Sequence, residues 1–180
     1  MAPHRAEISP TVVLDPTTRY QTFLGFGGSF TETSAELLLQ LGKATQAQVV
    51  DACFRSDSGL GYRMGRMHIN SCDFSRGNWA CCQEVCDERL QSFSLGRYRR
   101  AIFPFIQRAN LAAGEPVKIV ASPWSPPAWM KDTGSMIAGG ALRPEYREIW
   151  ARHYVRFAQE LDACGLPLWA LTVQNEPNAP

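Results

Sequence analysis

The 180-residue chain is long enough for one domain with a sizeable core. With 45% apolar residues, 19% charged residues and a formal net charge of +1, it does not read as disordered or as a basic nucleic-acid or anionic-membrane binder. No apolar run approaches the ~18 residues a membrane span requires, and the opening Met-Ala-Pro-His-Arg-Ala-Glu lacks the apolar centre of a secretory leader.

In chain order, the segments alternate between strand-like and helix-like patterns, which predicts a parallel α/β architecture. Ile8–Leu14 is apolar and β-branched and reads as an outlying strand, turned by Asp15-Pro16-Thr17-Thr18. Phe23–Phe30 reads as a short strand through Gly25-Phe26-Gly27-Gly28. Thr33-Ser34-Ala35-Glu36 has capping-box spacing and predicts a helix carrying Leu37, Leu38 and Leu41, stopped by Gly42. Thr45-Gln46-Ala47-Gln48 repeats the device, with Val49, Val50, Cys53 and Phe54 as the apolar face.

Gly61–Ile69 reads as the next strand, and Ser71–Glu88 as a long polar loop. Helical spacing of Tyr98, Ile102, Phe105, Ile106 and Ala109 predicts a helix over Gly96–Ala113, which Pro104 should kink or interrupt. Val117–Ala121 is strand-like, and Ser122–Gly140 is a loop rich in Trp, Pro and Gly. Pro144 suits a first helical position. Tyr146, Ile149, Trp150, Phe157 and Leu161 mark a helix that Gly165 ends, and Leu168–Val173 is the last strand.

Four strand-then-helix steps, the last lacking its helix, with long loops after the strands and short ones before them, predict a (β/α)8 barrel. A full barrel takes about 250 residues, so the chain reads as its first four units. Residues 21–180 read as the incomplete barrel, preceded by the outlying strand.

Six cysteines are present: Cys53, Cys72, Cys81, Cys82, Cys86 and Cys164. The Cys81-Cys82-Gln83-Glu84-Val85-Cys86 run is not a zinc-type pair, and no second cluster answers it. Free thiols and a disulfide both remain open.

In a parallel barrel all strand ends rim one pocket. The residues brought there are Arg66, His68, Asn70, Cys72 and Asp73 after the second strand, Trp124 and Trp129 after the third, and Asn175 and Glu176 after the fourth. Such a pocket holds two aromatic planes, two carboxylates, an amide and a guanidinium. Trp stacks on the C–H face of a sugar, and Asp and Asn bind its hydroxyls. Nothing in the set calls for a phosphate or a nicotinamide, and no cofactor or metal is expected. Gly25-x-Gly27 lacks the third glycine and the ribose-binding acid of a dinucleotide loop. It reads either as room at the pocket floor or as a tight strand–helix turn.

Each residue also has a plain structural reading. Glu176 reads as a catalytic acid or as a surface Glu, and Asp73 as a sugar ligand or as a turn residue. Asn175 reads as a ligand or as a partner of backbone groups. Arg66 reads as a buried partner of site carboxylates or as a substrate contact. Trp124 and Trp129 each read as pocket wall or as core. His68 reads as a hydrogen-bonded core residue, His4 as tail and His153 as a helix face.

Four ordered segments resemble glycoside hydrolase family 30, most closely its glucosylceramidase branch. They are Tyr20 to Glu32, Arg66-Met67-His68-Ile69-Asn70-Ser71-Cys72-Asp73-Phe74-Ser75, Ala121 to Lys131, and Leu171-Thr172-Val173-Gln174-Asn175-Glu176-Pro177. The resemblance runs from about residue 8 to the end. It implies a retaining β-glycosidase on a (β/α)8 TIM barrel with a β-sandwich side domain, to which residues 1–20, with the strand Ile8–Leu14, would belong. By that resemblance Glu176 matches the general acid/base and Asn175 the residue that binds the sugar 2-hydroxyl. Asp73 and Trp124 match residues that hold other hydroxyls, and Arg66 a pocket arginine.

The resemblance further implies a nucleophile from strand seven, and no residue here matches it. Trp79 to Cys86 departs from a loop that is usually richer in Tyr. The expected substrate is a glucoside, foremost glucosylceramide, in a secreted or lysosomal-type setting with possible peripheral membrane contact. The expected partner is the C-terminal half of the barrel. Alternatives are a β-1,6-glucanase, a xylosidase, or a non-catalytic fragment.

Overall fold

The computed structural model describes residues 10–178. Four strands form one fully parallel sheet in the order β1 (Gly27–Phe30), β2 (Met64–Ile69), β3 (Lys118–Pro123) and β4 (Leu168–Leu171). The register aligns Phe30 with Met67, Met67 with Ala121, and Ala121 with Leu171. Helices α1 (Glu32–Gln40) and α2 (Lys43–Phe54) join β1 to β2. Helices α3 (Gly96–Arg100) and α4 (Ile102–Ala113) join β2 to β3, and α5 (Arg147–Ala163) joins β3 to β4. Consecutive parallel strands with helical crossovers are the repeat of a (β/α) barrel, here with four strands and three crossovers among the described residues.

The core lies between sheet and helices. Phe30 stacks on Phe54 and meets Phe105 edge-on, while Tyr98 packs on Phe103 and Phe157. Removal of such side chains from water is the main stabilising contribution, about 1.5–3 kcal/mol for each large apolar group.

Several boundaries differ from the sequence reading. The first strand begins at Gly27 rather than Phe23, and Phe23 and Phe26 are exposed. A side chain at Gly27 would lie 2.1 Å from the Met64 carbonyl oxygen, so only glycine lets β1 approach β2 here. Residues 8 and 9 of the expected outlying strand fall outside the described residues. Residues 10–14 carry no strand, and Val12, Val13 and Leu14 are exposed.

The cap of α1 is Thr31, not Thr33. Its hydroxyl accepts from the Ser34 N–H while the Ser34 hydroxyl accepts from the Thr31 N–H. β1 ends at Phe30, so Thr31 is the residue in extended geometry from which the helix springs. Thr33 instead ties α1 to the loop after β2, because both its N–H and its hydroxyl donate to the Phe74 carbonyl. The second predicted cap also fails, since α2 starts at Lys43 from Gly42 with no side-chain cap. Gln46 is buried there and donates to the Leu39 and Leu41 carbonyls at the end of α1.

The expected interruption by Pro104 falls three residues earlier. The helix breaks at Ala101 (φ −142, ψ −49), and Pro104 becomes the third residue of α4, where its missing N–H leaves no bond unmade. The loop Ser71–Glu88 is not uniformly polar, because Trp79, Ala80, Cys81 and Cys82 are buried. β4 ends at Leu171 and is half-exposed, with Trp169 and Leu171 open to solvent. It forms the outer edge of the described sheet, which is why the expected burial is not seen. All six cysteines are free thiols.

Candidate active site

A cavity of about 510 Å³ opens at the carboxyl ends of the strands. Arg66, Asp73, Trp124, Asn175 and Glu176 all line it, together with His68 and Phe74. The four-strand topology therefore gathers residues from β2, the loops after β2 and β3, and the turn after β4.

Arg66 leaves β2 half-buried. Its Nε donates to Ser122 Oγ at 2.9 Å, and its Nη2 donates to Asn175 Oδ1 at 2.8 Å. Its guanidinium lies 4.7 Å from the centre of the Trp124 ring. Ser122 in turn accepts from the Thr172 hydroxyl at 2.9 Å. The expected carboxylate partner of Arg66 is replaced by an amide, so the guanidinium fixes Asn175 and Trp124 relative to each other. An arginine locked by two directed bonds and a ring face loses little further freedom when a ligand arrives.

The turn after β4 extends the ladder and then reverses it. Thr172 and Asn175 donate their N–H groups to the carbonyls of Ala121 and Pro123. Gln174 Nε2 donates to the Trp124 carbonyl at 2.9 Å. Glu176 follows at φ +45, in the left-handed region that a non-glycine residue seldom occupies. Such strain persists where surrounding bonds over-determine it, and it concentrates at functional sites.

Behind the cavity wall lies a buried polar network that links β1, β2 and their loops. His68 Nε2 accepts from the Glu32 N–H at 3.2 Å, so its Nδ1 carries the proton and donates to the Asn70 carbonyl. Burial pushes the His68 imidazole below its usual value and keeps it neutral. Asn70, at φ +62, accepts from the Cys81 N–H and donates to the Ser125 carbonyl. The Glu32 carboxylate accepts from Trp79 Nε1 and from Arg97 Nε, each at 3.0 Å. Burial opposes its charge, but the Trp79 bond and the Arg97 charge outweigh that and hold the carboxyl below its ordinary range.

Sequence reading missed the roles of Glu32, Trp79 and Arg97. Their partners lie 47 and 65 positions apart, beyond any local pattern. Trp129 was grouped with the site, yet it packs on Tyr146, bonds the Cys82 carbonyl and lines a neighbouring groove. One tryptophan, not two, lines the cavity with Glu176. His153, expected on a helix face, is wholly buried against Phe93 and Trp150.

Fold and cavity together define a (β/α)-barrel domain with a candidate site at the strand carboxyl ends. The glycosyl hydrolase family 30 TIM-barrel domain matches residues 23–180, and the chain belongs to that family. It is 32% identical over 173 residues to the lysosomal acid glucosylceramidase of Mus musculus, covering 93% of this chain and 33% of that protein. Among solved structures it is similar to SrfJ from Salmonella typhimurium, with TM-score 0.83, 38% identity, and 88% and 35% of the two chains covered. It is also similar to the endo-β1,6-glucanase BT3312, with TM-score 0.82, 29% identity, and 95% and 38% covered. The chain spans about a third of the length of these relatives.

Proposed function

We propose that Glu176 is the general acid/base of a retaining β-glycosidase that cleaves a β-glucosidic bond, with glucosylceramide as the leading substrate. The supporting observation is that Glu176, Asn175, Asp73, Trp124 and Arg66 share one cavity of about 510 Å³, within the usual range for small-molecule sites. Glu176 protonates the departing oxygen and then, as carboxylate, takes a proton from water. Asn175 binds the sugar 2-hydroxyl, held by Arg66. Asp73 takes other hydroxyls, and Trp124 carries the flat C–H face of the ring. Retention requires a second carboxylate about 5–5.5 Å from the first. That nucleophile is assigned to the remaining strands of the barrel, and the 180-residue chain alone is assigned no turnover.

A second reading, a β-1,6-glucanase, is supported by the likeness to BT3312. Both readings share the acid/base.

The test compares the chain and a form extended through the remaining strands on a fluorogenic β-glucoside, on glucosylceramide and on a β-1,6-glucan. Glu176→Gln in the extended form should lower kcat by about 10²–10⁴-fold, the usual contribution of a positioned acid. Full activity in that variant refutes the assignment of Glu176. Rapid turnover by the unextended chain refutes the assignment of the nucleophile elsewhere.

A further inference from the structure

Two positions before Glu176, the half-buried Gln174 spans the turn after β4. Its Nε2 donates to the Trp124 carbonyl and to the Asn175 carbonyl, each at 2.9 Å. A primary amide carries two N–H groups, so both are used. The Asn175 carbonyl belongs to the peptide that joins Asn175 to Glu176. Rotation of that peptide is what changes φ of Glu176.

The earlier part of the turn is fastened by other groups. The Thr172 and Asn175 N–H groups donate to the Ala121 and Pro123 carbonyls. Tyr154, on α5, donates its hydroxyl to the Val173 carbonyl at 2.8 Å. Those bonds hold the chain as far as the Asn175 nitrogen, and the Gln174 amide holds the next peptide. Glu176 then sits at φ +45, although it is not a glycine and Pro177 follows it. A side chain disfavours positive φ, and a following proline pushes a residue toward extended backbone. Released, Glu176 would relax away from its present conformation, so the bond on its preceding peptide restrains it.

We propose that Gln174 is a positioning residue whose amide holds the Asn175–Glu176 peptide so that the Glu176 carboxyl is aimed at the departing oxygen. The same amide ties that peptide to Trp124, whose ring faces the Arg66 guanidinium, so acid and sugar platform keep one spacing. No proton passes through Gln174. The proton moves from Glu176 to the glycosidic oxygen as its bond to the sugar carbon breaks. This inference rests on the reading of Glu176 as acid/base, and it names what keeps that acid in place.

A misplaced acid shows itself through the leaving group, because phenoxide needs a proton as it departs and dinitrophenoxide does not. In the form extended through the remaining strands, kcat/KM is measured on phenyl and dinitrophenyl β-D-glucosides, with thermal unfolding alongside. Gln174→Met keeps the side-chain length and removes both donors. It should lower kcat/KM on the phenyl glucoside by about 10²-fold, the effect of a misplacement of about 1 Å. That loss should exceed the loss on the dinitrophenyl glucoside at least about tenfold. Gln174→Glu, of the same shape but with two acceptors, should repeat the asymmetry. Adding Gln174→Met to Glu176→Gln should cost less than about threefold more on the phenyl glucoside, because the two residues act as a unit.

Equal losses on the two glucosides, or a full second loss in the double variant, overturn the proposal and assign Gln174 to sugar binding or stability. Failure of both Gln174 variants to fold overturns it likewise. Glu176→Gln alone separates the two readings. If it shows the asymmetry and the Gln174 variants do not, only the positioning role falls. If Glu176→Gln shows none, the acid/base reading falls and the inference with it.

Discussion

His153 lies wholly inside α5, and neither ring nitrogen has a hydrogen-bond partner among the described residues. Its neighbours are the rings of Phe93 and Trp150. Burial depresses its pKa to about 3 from 6.5. The unfolded chain therefore binds a proton near pH 6.5 that the folded chain refuses until about pH 3. Between those values the unfolded state holds more protons, so stability falls as pH falls, by about 1.4 kcal/mol per unit. Integrated from pH 7 to pH 4.5, the group costs about 2.5 kcal/mol.

His153→Leu fills a similar volume with no polar atoms and should remove that cost. Urea denaturation of both proteins at the two pH values reads it directly. The stability difference in favour of the variant should grow by about 2.5 kcal/mol on acidification, while the shared titrations of other groups cancel. A difference that stays constant within about 0.5 kcal/mol refutes the reasoning and means that the imidazole is hydrated or paired.

Glu32→Gln should destabilise the chain by about 1–3 kcal/mol by weakening the bonds from Trp79 and Arg97, measured by urea denaturation at neutral pH. The Glu32 carboxyl is depressed in the folded state, so its contribution is full above the ordinary carboxylate range and lost as pH falls through the folded value. The variant's acid limb should accordingly be shallower than that of the wild type. Asn70→Ala loses its bonds to Cys81 and Ser125 and leaves a non-glycine residue at φ +62, for a total of about 2–4 kcal/mol. Asn70→Gly should recover about 1 kcal/mol of that in thermal or urea unfolding, because only the backbone component is restored.

The order of elements was legible because period and punctuation are local properties. The helical spacing of Ile102, Phe105, Ile106 and Ala109 and the break near Pro104 come from neighbours on one helix. The apolar run before Asn175-Glu176 likewise announced a strand end. Boundaries were less legible, because they depend on which residue first leaves its strand. Capping-box spacing marks Thr33 in the sequence, and only the end of β1 at Phe30 makes Thr31 the cap instead.

The sequence alone therefore determined the parallel alternation and the identity of the polar residues at the strand ends. It did so because strand, helix and turn preferences act over a few residues. Tertiary structure decided which of those residues meet. Arg66 finds Asn175 rather than a carboxylate, Trp129 turns away to Tyr146, and Glu32 is closed in by Trp79 and Arg97. Those partners are brought together by the sheet register and the crossovers, and contacts across such distances leave no periodic trace in the chain.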